Sequence, residues 1–189
     1  MISPSHVLTA AHCVEDKDCS HYSVGVGMHT NDVRNGTRVE VSQISVHPNY
    51  TFNCGISSLD GMPDFDFSII HLASPVDLND KVIPACLPDE ELGGEKLAGK
   101  ILTVSGWGFP FPGVLHKAQY PGQTNENCKY YNYYTEKECD GVTENMLCAG
   151  DPYKLDGASS RGDSGGKVSR LFHLKTYRRD NHFCTFFAF

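Results

Sequence analysis

Apolar side chains in this 189-residue chain return at every second position, in runs too short and too often broken by Gly, Pro and Asn to wind into helices. In YSVGVGMH, Tyr22, Val24, Val26 and Met28 fall on one face, the period-two pattern of a half-buried strand. In TRVEVSQISVH the phase slips. Val39 and Val41 share one face, Ile44 and Val46 the other, so a β-bulge is predicted near Ser42 and Gln43. HPNY (47–50) reads as a turn, DFSIIHL (66–72) as a buried strand and KVIPACLP (81–88) as an irregular link. KILTVSGWG (100–108) is a further strand and NMLCAG (145–150) a final short one. The stretch from Phe109 to Gly141, rich in Pro, Gly, Asn and Tyr, is predicted to be mostly loop, and KVSRLFHLKT (167–176) does not read as a strand. The fold class is all-β.

The formal charge of −7 argues against a nucleic-acid partner and gives no pull toward anionic lipid. No stretch of about 20 apolar residues is present to cross a membrane as a helix. The charge is uneven: residues 167–189 carry five Lys/Arg against one Asp, net +4, which leaves −11 for residues 1–166. Eight cysteines with no CxxC pair point away from a zinc site, so no metal is expected, and toward an oxidised, secreted framework. Two glycosylation sequons, at Asn35 and Asn49, agree with an extracellular location. The opening MISPSHVLTAAHC lacks the basic start and long apolar run of a signal peptide, so the export signal is expected to be absent from this chain.

Three local signals stand in the order His, Asp, Ser. LTAAHC places His12 directly after an apolar run, where a tight turn can present an imidazole at a sheet edge. Asp66 opens DFSIIHL and so lies at the mouth of a buried strand, a low-dielectric place from which a carboxylate can orient an imidazole. It is preferred there over Asp64 and Asp60, because it alone immediately precedes the apolar run. GDSGG (162–166) sets Ser164 among small residues that let the backbone turn tightly and aim an Oγ and N–H groups at one point.

With TVSGWG (103–108), ACLPD (85–89) and NMLCAG (145–150) in the same order, residues 2–166 resemble the chymotrypsin/trypsin-like serine protease family. That resemblance implies a double antiparallel β-barrel. Residues 1–99 would form a partial N-terminal barrel, 100–166 a partial C-terminal barrel, and 167–189 a divergent basic and aromatic tail. It also implies an endopeptidase that works through an acyl-enzyme without metal or organic cofactor, on protein or peptide substrates and open to serine protease inhibitors. His12 would be the general base, Asp66 its orienting carboxylate and Ser164 the nucleophile, with the N–H groups of Gly162 and Ser164 as oxyanion hole. Ala158 would occupy the position that sets pocket charge, so a Lys/Arg preference is not supported. Cys128 would pair with Cys148, and Cys19 with Cys54 is a further candidate pair.

The chain also departs from the family pattern. The first strands of the N-terminal barrel, the Ser-Trp-Gly segment and the closing strands and helix are expected to be missing. An N-terminal segment to pair with Asp163 and an upstream partner for Cys13 are likewise expected to be missing. The alternative function is a catalytically silent homologue that binds or regulates a partner.

Overall fold

The computed structural model of the protein describes residues 1–53, 62–87, 94–108, 113–127, 143–150 and 164–170. Ala158, Gly162, Asp163, Cys54, Cys128 and the tail beyond Arg170 lie outside these residues. Within them, ten strands form two four-stranded antiparallel sheets and one small ribbon. The first sheet has the order β1 (His6–Thr9), β6 (Ser68–Leu72), β3 (Thr37–Val46), β2 (Ser23–Val26). The second has the order β10 (Lys167–Arg170), β7 (Ile101–Gly106), β8 (His116–Gln123), β9 (Cys148–Ala149), and β4 (Thr51–Asn53) pairs with β5 (Met62–Asp64). The expected all-β architecture of two antiparallel sheet units is present.

Strand periodicity explains the first sheet. Ser68, Ile70 and Leu72 point into the core while Ile69 and His71 are half-exposed. Val39 and Val41 of β3 are buried with them, together with Val14. The predicted bulge is where the phase slip placed it: β3 and β6 shift register between Val41 and Gln43. Ser42, left over at the bulge, turns its hydroxyl to donate to the carbonyls of His71 and Leu72 at 3.1 and 3.3 Å. The 47–50 turn closes with Tyr50 N–H donating to the His47 carbonyl at 3.0 Å.

Two segments differ from the sequence reading. His116–Gln123 falls in the stretch expected to be loop, yet it is an eight-residue strand in register with β7, from Gly106 opposite His116 to Ile101 opposite Pro121. Pro121 is tolerated because it stands near the strand's end, and Gly122 beyond it packs against the Leu97 carbonyl where a Cβ would collide. Lys167–Arg170, assigned by sequence to the divergent tail, pairs with β7 along its length, Lys167 opposite Ser105 and Arg170 opposite Leu102. Leu97 and Leu102, 2% and 1% exposed, anchor this second sheet.

The loops that flank the two sheets are tied together. The His29 carbonyl accepts from Trp107 Nε1 at 3.3 Å and from Leu115 N–H at 3.0 Å, and Asn31 N–H donates to the Gly113 carbonyl at 3.0 Å. Among the described residues no helix is long and apolar enough to cross a membrane.

Candidate active site

The pairing of β1 with β6 determines which loops meet. Thr9 stands opposite Ser68 in an antiparallel ladder, so the chain leaving Thr9 and the chain entering Ser68 lie at the same end of the pair. His12 is three residues past Thr9, in a tight 3-10 turn spanning Ala11–Val14. Ala10 and Ala11, 5% and 0% exposed, are small enough to let that turn sit against the core. Asp66 is two residues before Ser68. They meet as the ladder requires: His12 Nδ1 donates to Asp66 Oδ2 at 2.7 Å, and the His12 backbone N–H donates to Oδ1 at 2.9 Å.

Both oxygens of Asp66 are thus committed to one residue, with the two side chains 28% and 21% exposed. A carboxylate so placed fixes the imidazole's tautomer and plane. The hydrogen bond to Asp66 is the main reason the His12 pKa is raised from 6.5 to about 10. A second hydrogen bond, which the protonated ring donates to Cys13 Sγ, adds to the rise and partial burial opposes it. Cys13 Sγ lies 3.5 Å from Nε2, the ring nitrogen that faces away from Asp66.

Ser164 is exposed, in a turn directly before β10. Its neighbour Gly165 has φ +71°, and a Cβ there would meet Thr9 Oγ1 and Ala10 N. The nucleophile-type turn therefore packs onto the end of β1, two residues from His12, and only glycine permits that approach. Among the described residues Ser164 makes no hydrogen bond to His12. The same junction brings the Met1 amine near Lys167. Burial foremost, then the Lys167 charge, lowers the amine pKa, and burial lowers that of Lys167.

Asp64, set aside by sequence, is 7% exposed and fully engaged. Its Oδ1 accepts from Phe65 N–H at 2.9 Å and from Thr143 Oγ1 at 3.0 Å, and its Oδ2 accepts from Asn145 Nδ2 at 3.4 Å. Between the two aspartates, Phe65 takes φ +50°, a left-handed conformation that costs a bulky residue about 1–2 kcal/mol. His47 stacks on Phe65 with centroids 4.9 Å apart and an interplanar angle of 6°, and tilts against Phe67 at 4.5 Å.

Cys13 and Cys19 are free thiols, so the match of Cys19 with Cys54 is not formed. Cys19 sits in a short turn packed beside the first core. Cys86 and Cys148 are disulfide-bonded, and the predicted partner of Cys148, Cys128, lies outside the described residues. The same holds for Gly162 and Ala158. Asn35 and Asn49 are both exposed, Asn35 donating from Nδ2 to Thr30 Oγ1 at 3.0 Å. Among the described residues no group of three or more His, Cys, Asp or Glu side chains converges to hold a metal.

Comparison with known proteins agrees with the fold. A family model described as trypsin matches residues 1–173. The clotting factor G beta subunit of Tachypleus tridentatus is 31% identical over 89% of the chain, and a trypsin of Simulium vittatum 35% identical over 89%. The chain covers 55% and 64% of those two relatives, less than two thirds of either. Among solved structures, neuropsin, a serine protease expressed in the limbic system of mouse brain, superposes with a TM-score of 0.67 at 29% identity, covering 89% of this chain and 69% of that one.

Proposed function

The chain belongs to the trypsin-like serine protease family, and from that premise we propose that it forms the catalytic part of a secreted serine endopeptidase. The observation that carries this reading is the double hold of Asp66 on His12, with the Ser164 turn packed against the same end of β1. Ser164 Oγ attacks the scissile carbonyl while His12 Nε2 takes its proton. The N–H groups of Gly162 and Ser164 receive the oxyanion. His12 then returns the proton to the leaving amine, and water enters by the same route to release the acyl group. One oxyanion donor is worth about 2.7–4 kcal/mol of barrier.

His12 must present a neutral Nε2 to Ser164 for this, whereas the ring is held toward its charged form with Cys13 beside Nε2. The thiol therefore has to leave Nε2 before Ser164 can use it. Ala158 offers no carboxylate to a basic side chain, so a preference for Lys or Arg before the cleaved bond is not supported. A disulfide between Cys128 and Cys148, glycans on Asn35 and Asn49, protein or peptide substrates and serine protease inhibitors as partners complete the proposal.

Digestion of a mixed peptide library tests it. Cleavage by the folded chain, absent in Ser164→Ala and not centred on Lys or Arg, is expected; an intact library after long incubation with folded protein would remove the reading.

The contact of Cys13 with His12 Nε2 favours one rival, a silent homologue that binds a partner without cutting it. Specific partner capture that persists unchanged in Ser164→Ala, without cleavage by either form, would establish the rival.

A further inference from the structure

We propose that Asp64 is a positioning residue for Asp66: a buried carboxylate that ties the loop carrying Asp66 to the Thr143–Asn145 segment beside the second sheet. This rests on the reading of His12 and Asp66 as a working pair. Three observations converge on it. The first is the bonding of Asp64 itself. It is nearly inaccessible, yet all its capacity is directed across the molecule, to Thr143 79 residues away and Asn145 81 residues away, apart from one bond to its own neighbour's N–H. A buried carboxylate is retained only where donors satisfy it, so its presence fixes how those segments face each other.

The second is the conformation that it stabilises. Phe65 is held at φ +50° with its N–H tied to Asp64 Oδ1, and the next turn closes through Phe67 N–H to the Phe65 carbonyl at 2.8 Å. A left-handed non-glycine residue persists only when its surroundings over-determine it. Here Asp64 fixes it from one side and the stacked His47 ring from the other. The third is what the bend delivers. Asp66, the next residue, arrives with both oxygens aimed at His12. Relaxing Phe65 toward an ordinary φ would rotate that carboxylate away from the imidazole, and displacement of an orienting group by about 1 Å can cost up to about 100-fold in rate. The Thr143–Asn145 segment leads into β9, which pairs with β8, so one side of the hold belongs to the second sheet.

The role is one of hydrogen bonding and not of charge, and that sets the test. Asparagine at position 64 keeps a carbonyl for Phe65 N–H and Thr143 Oγ1, and its amide can donate to the exposed Asn145 once that side chain turns over. Alanine keeps none of these bonds. The full chain with Asp64→Ala, Asp64→Asn or Thr143→Val is compared with the unaltered chain by two readouts. One is the rate of labelling by a fluorophosphonate; the other is the low-field NMR resonance of the His12 Nδ1 proton bonded to Asp66.

Asp64→Ala is expected to slow labelling about 10- to 100-fold and to abolish or shift the resonance upfield, and Thr143→Val to do both more weakly. Asp64→Asn is expected within about threefold of the unaltered chain with the resonance retained. A folded Asp64→Ala with unchanged rate and resonance would overturn the proposal. So would an Asp64→Asn as impaired as the alanine variant, since charge would then be the operative property. Where Asp64→Ala does not fold, Thr143→Val decides: an unmoved resonance counts against Asp64, a weakened one for it. Absence of labelling in the unaltered chain would defeat the peptidase reading alone, because the resonance still reports on Asp64.

Discussion

Asp66 grips His12 at two points, through the ring at 2.7 Å and through the backbone N–H at 2.9 Å. One bond would orient the imidazole about a pivot; two fix both the ring and the turn that bears it. The grip follows from the ladder of β1 and β6, which puts the two loops at one end, and the Ser164 turn reaches that same end through Gly165.

Asp66→Asn removes the group that orients His12 and stabilises its charged form. Activity is expected to fall about 10³–10⁴-fold with the fold retained, as measured by peptide hydrolysis alongside circular dichroism.

The raised pKa of His12 has a signed consequence for stability. The folded value, about 10, lies above the ordinary value of 6.5, so the folded state binds the proton more tightly. The stabilisation is full below about pH 6.5 and is lost as pH rises through about 10. Urea unfolding from pH 6 to 10 should show stability falling with pH, and His12→Gln should flatten that part of the profile. Equal slopes in the two proteins would show that His12 is not the group responsible.

Cys13→Ala removes the second of the two hydrogen bonds that raise the His12 pKa. The NMR titration midpoint of His12 should drop, though less than in Asp66→Asn, and fluorophosphonate labelling near neutral pH should become faster. An unchanged midpoint would mean that the thiol does not engage Nε2 in solution.

Gly165→Ala places a Cβ against Thr9 and Ala10 at φ +71°. Thermal unfolding should show a loss of about 1–3 kcal/mol, and labelling of Ser164 should slow as its turn is pushed off β1.

Adjacent residues in β7 should behave oppositely. Leu102, 1% exposed, should cost about 2–5 kcal/mol when cut to alanine, whereas Ile101, 52% exposed, should change stability by about 0.5 kcal/mol or less. Denaturant titration of the two variants separates them.

How far the sequence could be read depended on the range of the interactions. Alternation and its slip at Ser42–Gln43 are local, and the bulge appears where they place it. His12 and Asp66 could each be located because each stands beside a strand whose apolar run is visible in one window, and the family resemblance implied that they pair. His116–Gln123 was obscured because Pro121 and Gly122 read as loop chemistry, while the register with β7 overrides that preference. Among the described residues Lys167–Arg170 is the edge strand of its sheet, where the apolar pattern is weakly enforced. Asp64 was passed over because its partners, Thr143 and Asn145, are distant in sequence and neighbours only after folding.

The most direct measurement of the central claim is intact-mass analysis of the folded chain after exposure to a fluorophosphonate. The account predicts one adduct, mapped to Ser164, absent in Ser164→Ala and strongly reduced in His12→Ala. A folded chain that gains no adduct, or gains one that survives Ser164→Ala, would contradict it.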